Sequence, residues 1–191
     1  MVGLAYSDLK EKILKEKMIE GYEDIEKQLT PNGFDVRACT IIEVKEAGEV
    51  GISKEENKSP ILGKAYVLEG HEKILENLNI EKIITMKYGE KLPLYRLKPY
   101  LLITCEKINT PEDLYFKIEI RSTLFRYGQM ILETAFGDAG YKGRLTFLLL
   151  PTLDTKLALG CRVAQISFVT LTSRAHYENQ KECGYQGGKI L

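Results

Sequence analysis

The sequence predicts a mainly β protein, a sandwich or barrel preceded by one N-terminal helix, and three observations carry that prediction. From Leu92 onward, short apolar runs (KPYLLITCEKI, LYFKIEIRST, GRLTFLLLP and CRVAQISFVTLTS) follow one another, separated by turn residues such as Thr110-Pro111-Glu112-Asp113. Short strands at that spacing characterise sandwiches and barrels. Upstream, Pro31-Asn32-Gly33 marks a turn, after which FDVRACTIIEV alternates as a half-buried strand does. Nearer the start, apolar residues recur at helical spacing.

In chain order, residues 1–21 read as an amphipathic helix. Ser7-Asp8 supply the cap, Leu9, Ile13, Leu14 and Met18 share one face, and Gly21 stands near the end. Residues 44–60 are polar and Gly-bearing, as in a hairpin or exposed loop. Residues 65–91, with HEKILENLNIEKIITMKYG, suggest a short helix and then a strand, inserted between the flanking segments. Residues 175–191 form a Gly-rich tail, by default a mobile end. There is no internal repeat and no low-complexity linker, and 191 residues fit one domain with a substantial core.

Bulk properties narrow the function classes. The 27 basic and 27 acidic residues cancel, which gives no sign of steering toward nucleic acid or anionic membranes. No apolar run approaches the roughly 20 residues of a membrane span, and acidic residues follow Tyr6 at once, unlike a signal peptide. A soluble cytoplasmic protein is the expectation. Cys39, Cys105 and Cys161 lie in apolar strand-like contexts and read as buried thiols. Cys183 stands apart, and no C-x-x-C pair occurs. With only His71 and His176, the H-x-E and P-C-x-x-C signature of zinc nucleobase deaminases is absent.

The stretch from Arg121 to Gly143, RSTLFRYGQMILETAFGDAGYKG, concentrates the candidate chemistry. A basic, hydroxyl-bearing turn (Arg121, Ser122, Thr123, Arg126) is followed, after 11 residues, by a Gly-flanked Asp138 and then Tyr141. Arginine offers a planar fork of donors to phosphate, and small residues let backbone N–H groups approach it. Asp138 could activate a water, and an exposed Tyr141 ring could stack on a base or sugar. Each residue also has an ordinary reading. Arg121 could pair with Glu119 or Glu133, Asp138 could form an Asx turn, and Tyr141 could be a plain strand aromatic. Together the residues point to a nucleoside-triphosphate site.

The same residues resemble a known superfamily. RSTLFRYG is similar to the phosphate-binding motif of dUTPases and dCTP deaminases, and FGDAGYKG to their motif around the catalytic Asp and the stacking aromatic. LAYSDLKEKILKEKMIEG resembles the N-terminal helix of dCTP deaminases, and PNGFDVRA the first core motif. GCRVAQISF resembles the GxRIAQ motif, and YENQKECGYQGG the deaminase-type tail. The six segments occur in family order over nearly the whole chain.

The resemblance implies a jelly-roll-like β-clip sandwich, a homotrimer with sites at subunit interfaces, and a dUTP-like pyrimidine deoxynucleotide as ligand. Mg²⁺ would be carried by the triphosphate, with no direct protein ligand. It implies that Arg121, Ser122, Thr123 and Arg126 contact the triphosphate and that Asp138 positions the attacking water. Thr134 and Ala135 would read the pyrimidine edge through the backbone, and Tyr141 would pack on deoxyribose. Gln165 would contact phosphate, unless it is simply an interior glutamine. Tyr177, Tyr185 and Gln186 would belong to a lid, helped by Lys181 or Lys189 because Gly184 replaces the usual lysine. Arg162 is expected on the outer face.

Two departures matter. Phe136-Gly137 fills a space that normally holds three residues before the Asp. In addition, Leu148 of Arg144-Leu145-Thr146-Phe147-Leu148 stands where deaminases carry the glutamate of a K-I-T-L-E pattern. Deamination needs a proton shuttle, which leucine cannot provide, whereas phosphoanhydride hydrolysis needs a positioned water, a base and charge neutralisation. The expectation is a dUTP diphosphatase like the archaeal dUTPases. The alternatives are a dCTP deaminase, possibly bifunctional, in which Glu133 or another carboxylate substitutes, or a catalytically silent nucleotide-binding protein.

Overall fold

A computed structural model describes residues 2–177 and 184–191. Helix α1 (Tyr6–Glu16) leads into β1 (Ile19–Glu20), the short α2 (Ile25–Gln28), β2 (Leu29–Thr30) and the long β3 (Gly33–Glu46). Next come β4 (Ile61–Leu68), β5 (Lys82–Met86), β6 (Lys91–Leu94), β7 (Tyr100–Asn109) and β8 (Leu114–Ile120). Helix α3 (Ser122–Gly128), β9 (Met130–Glu133), β10 (Lys142–Pro151), β11 (Thr155–Ala158) and β12 (Arg162–Thr170) complete the order. The architecture is mainly β with a helix at the N-terminus.

Helix α1 is shorter than its apolar periodicity suggests. It starts after Ala5, which makes no side-chain cap, and stops at Lys17 in the left-handed conformation (φ 53°). Ser7 and Asp8 fall inside the first turn, where an acid suits the helix dipole. The reversal at Lys17 turns Ile19–Glu20 into a strand that pairs with Ile108 and Lys107 of β7. Leu9 and Ile13 are buried on the helix and Met18 beyond it, while Leu14 is exposed. The sheet edge claims residues that would otherwise extend the helix.

Strand β3 organises the rest. Its first part pairs with β12 (Phe34↔Ile166, Asp35↔Gln165), and its later part pairs with β7 and β4 (Ala38↔Thr104, Thr40↔Val67). The register slips between Ala38 and Thr40 against β7, and between Arg162 and Ala164 on β12. Bulges of this kind bend a strand and increase its twist, so one strand serves two sheet regions. One side runs β5-β4-β3-β7-β10-β9, and the other joins β2, β3, β12 and β8. Strands β6 and β11 form a separate ribbon.

Gly33–Ile42 is buried without alternation, unlike the half-buried strand its sequence suggests. One face meets the main core of Phe34, Leu102, Phe116, Phe147, Ile166 and Phe168. Its polar residues are enclosed rather than solvated. Glu106 of β7 is fully buried and accepts hydrogen bonds from Arg37 Nε (2.7 Å), Arg37 N (2.8 Å) and Gln28 Nε2 (2.9 Å). Arg37 also donates to Glu23 (3.0 Å) and to the Gly21 carbonyl (2.7 Å). A buried ion pair is tolerable only when its remaining donors and acceptors are satisfied in this way.

Residues 65–91 contribute the end of β4, a 3₁₀ turn (Glu72–Leu75) and β5, which lies parallel to β4. Leu75 caps a second apolar cluster with Ile42, Leu62, Ala65, Val67 and Ile103, and Ile190 of the tail packs against it. This segment therefore covers the outer face of the sheet. No described helix is long and apolar enough to cross a membrane.

Glu106→Gln should lower the unfolding free energy by about 3 kcal/mol, because it removes the buried partner of Arg37 and leaves only the half-exposed Glu23. Urea unfolding measures this, and a loss below about 1 kcal/mol would remove the Arg37–Glu106 pair from the fold's essential contacts.

Candidate active site

Two groups of candidate residues form, and only the second lines the cavity that contains Asp138. The first gathers where β3, β12 and the start of α3 meet. Within RSTLFRYG, Ser122–Gly128 form a seven-residue helix rather than a turn, with Arg121 as its N-cap and Leu124 buried beneath it. Gln129 closes its C-terminal end in the left-handed conformation, its amide donating to the Phe125 and Arg126 carbonyls. Ser122, Thr123 and Arg126 are exposed, and the first turn of any helix carries N–H groups without intrahelical partners. The Arg126 guanidinium lies over the Phe125 ring.

Arg121 pairs with neither Glu119 nor Glu133. Its Nε lies 3.3 Å from Asp35 Oδ2, and the same oxygen receives Arg162 Nη1 at 3.3 Å. Burial pushes the Asp35 carboxyl above its ordinary range, and the two guanidinium groups pull it back. Arg162 is drawn inward by this contact and by the Lys27 carbonyl (2.6 Å), away from a purely outer-face role. Gln165, opposite Asp35 in the β12–β3 register, donates to Thr30 Oγ1 (2.8 Å). A Cβ on Gly33 would sit 2.7 Å from that amide and 2.5 Å from the Ile166 carbonyl, so only glycine fits there. The PNGFDVRA segment therefore braces Arg121 and Gln165 through Asp35, Gly33 and the neighbouring Thr30.

The second group surrounds a cavity of about 500 Å³ lined by Thr134, Ala135, Asp138, Tyr141, Tyr177 and Tyr185. Arg121, Ser122, Thr123, Arg126, Gln165 and residues 65–91 are not among its lining. Asp138 opens a turn closed by the Tyr141 N–H on the Asp138 carbonyl, with Gly140 at φ 78°. Positive φ at the third turn position favours glycine. Just before it, Gly137 bridges to Phe116, and a Cβ there would lie 2.2 Å from that buried ring. The short Phe136-Gly137 run thus presses the loop onto the core and leaves Asp138 exposed. Among the described residues the Asp138 carboxylate has no hydrogen-bond or ion-pair partner.

Tyr141 is half-buried, not the freely exposed ring expected from sequence. Its hydroxyl donates to the Arg144 carbonyl (2.6 Å), its ring meets Tyr177 edge-on at 5.9 Å, and burial pushes its pKa up to about 12. The ring still borders the cavity. Thr134 anchors its loop by donating to the Thr146 carbonyl (2.9 Å).

Gln186 is engaged by the Asp138 loop of its own chain. It accepts from Lys142 N (2.9 Å) and donates to the Gly140 carbonyl (3.1 Å), while Gly187 N donates to the Lys142 carbonyl (2.7 Å). Gly143 and Gly188 face each other so closely that a Cβ on Gly143 would lie 2.3 Å from Gly188 N. The described tail therefore sits beside the cavity, where Gly184 and Lys189 also line it. Lys181 and Cys183 lie outside the described residues.

Sequence reasoning did not single out Asp35 or Phe116 as supports, nor the side chain of Arg144. Arg144 lines the cavity and donates to the Thr104 carbonyl (2.9 Å) and the Cys105 carbonyl. Its alternation with Leu148 along β10 was the available signal. Leu148 does line the cavity, half-exposed, paired with Leu101 on one side and Glu133 on the other.

Residues 4–171 match the dCTP deaminase-like family. A probable deoxyuridine 5'-triphosphate nucleotidohydrolase of Archaeoglobus fulgidus is 27% identical over 175 residues, covering 91% of this chain and 90% of that protein. A dCTP deaminase of Thermococcus kodakarensis is 32% identical over 183 residues, covering 94% and 92%. Among solved structures, the 2'-deoxycytidine 5'-triphosphate deaminase of Agrobacterium tumefaciens shares the fold with a TM-score of 0.59 at 16% identity. That match covers 88% of this chain and about half, 48%, of the other. With the family match spanning most of its length, the chain belongs to the dCTP deaminase-like family.

Proposed function

We propose that this protein hydrolyses dUTP to dUMP and pyrophosphate. The observation that carries the reading is that Asp138, without a partner among the described residues, and the apolar Leu148 line one cavity. A carboxylate is available to activate water, while position 148 offers no proton shuttle. A water oxygen would bond to the α-phosphorus and give its proton to Asp138. The bond from that phosphorus to the oxygen bridging to the β-phosphate would break, and pyrophosphate would leave. Arg121, Ser122, Thr123, Arg126 and Gln165 would hold the phosphates, Thr134 and Ala135 the base edge, and Tyr141 the sugar. Tyr177, Tyr185 and Gln186 would close the cavity.

Among the described residues, no cluster of three or more His, Cys, Asp or Glu side chains is placed to cage a metal. The phosphate oxygens themselves suit a hard cation, so Mg²⁺ fits as an ion carried by the triphosphate. It would supply charge neutralisation on the phosphates.

The separation of the Arg121 group from the Asp138 cavity supports a site shared between chains, in a homotrimer. The probable dUTP nucleotidohydrolase names among the relatives agree with the hydrolytic reading. Dictyoglomus turgidum has a relative named as a dUMP-forming dCTP deaminase, 29% identical over 190 residues. Deamination is the second reading, favoured by one observation: Glu133 places a carboxylate beside Leu148.

Asp138→Asn should lower dUTP turnover by about 10²–10⁴-fold while retaining dUTP binding. Undiminished pyrophosphate release by this variant would contradict the role of Asp138. Mixing inactive Arg121→Ala and Asp138→Asn chains under exchange conditions should restore part of the activity if two chains build each site. No recovery after demonstrated subunit exchange would place both groups' work within one chain.

A further inference from the structure

The wall of the Asp138 cavity ends in a carboxylate, Glu133, that the hydrolytic reading leaves without a role. Leu101, Leu148 and Glu133 are direct partners across β7, β10 and β9, so their side chains stand in one row on one face. All three line the cavity. Among the described residues Glu133 has no hydrogen-bond or ion-pair partner.

An ionised carboxylate only accepts hydrogen bonds, and its charge repels phosphate. The Leu101–Leu148–Glu133 row therefore suits neither a triphosphate nor a metal-free phosphate path. Two leucines fit the flat face of a heterocycle, and the terminal acceptor fits an N–H on its edge. Pyrimidine bases offer two kinds. The uracil N3–H is flanked by two carbonyl oxygens that a carboxylate repels. The cytosine 4-amino group offers two N–H bonds with only the ring N3 as a neighbouring acceptor.

We propose that Glu133 is a specificity-determining residue whose carboxylate accepts from the 4-amino group of cytosine, so that the cavity takes dCTP as well as dUTP. This rests on the reading of the Asp138 cavity as the base pocket. The match is one of binding, and it asks Glu133 to hold the amino group rather than to move protons.

The test is equilibrium binding of dCTP and dUTP, with Mg²⁺, to the full-length protein and to Glu133→Gln. The unchanged protein should bind dCTP at least as tightly as dUTP. The glutamine amide keeps the side-chain length, removes the charge and can donate to the uracil O4. The dCTP-to-dUTP preference should therefore shift toward dUTP by about tenfold or more, as expected for loss of a hydrogen bond to a charged acceptor. Glu133→Ala should weaken dCTP binding without weakening dUTP binding, because it removes the acceptor for the amino group together with the charge that repels the uracil carbonyls. An unaltered preference in both variants, a parallel loss for both nucleotides, or no binding of either to the unchanged protein overturns the proposal. Pyrophosphate release from dUTP by the unchanged protein is scored separately. Its absence would count against the hydrolytic reading while leaving the binding preference to judge Glu133.

Discussion

The buried Arg37–Glu106 ion pair, with the Gln28 amide that shares its carboxylate, ties together the elements that carry the Arg121 group. It joins β3 to β7 where β3 passes from one sheet region to the other, a place where a simple apolar ladder is broken by bulges. Glu106 also receives the amide of Gln28, which in turn donates to the Asp35 carbonyl. One carboxylate thus fixes the end of α2, the path of β3 and the position of Asp35. Asp35 then holds Arg121 and Arg162. From Glu106 through Gln28 to Asp35, satisfied contacts run from the core to the candidate phosphate ligands.

The Asp138 side is held differently, by steric fit. Gly137 lies against Phe116, Gly140 makes the turn, and Gly143 meets Gly188 of the tail. These glycines let the backbone close on itself where side chains would intrude, which presents Asp138 at the cavity with no partner among the described residues. An exposed carboxylate on a turn held by packed glycines suits the activation of water. The same loop engages both polar ends of Gln186, so the described tail and the Asp138 turn pack together.

Much of this was legible in the sequence. The strands from Tyr100 to Thr170 follow runs of apolar residues cut by Pro, Gly and Asp, and the six motif segments located both candidate groups. What escaped depends on partners distant along the chain. The alternation of FDVRACTIIEV suggested one solvated face, but Arg37 and Asp35 are enclosed by Glu106, Arg121 and Arg162, roughly 70 to 130 positions away by sequence order. The helix at the N-terminus ends early because β7 pairs with Ile19 and Glu20, a competition that local periodicity does not contain. RSTLFRYG reads as a turn until Leu124 is seen buried beneath it and Gln129 closing it. Register, too, was needed to see that Glu133 stands across from Leu148.

On the proposed reading, Asp138 would activate water for hydrolysis, while Leu148 stands where deamination would need a proton shuttle. Incubating the protein with Mg²⁺ and either dUTP or dCTP, while following pyrophosphate and ammonia together, tests it most directly. The account predicts pyrophosphate from dUTP and no ammonia from dCTP. Ammonia from dCTP would contradict it, because proton transfer to the base would then be performed by a residue other than the one that Leu148 replaces.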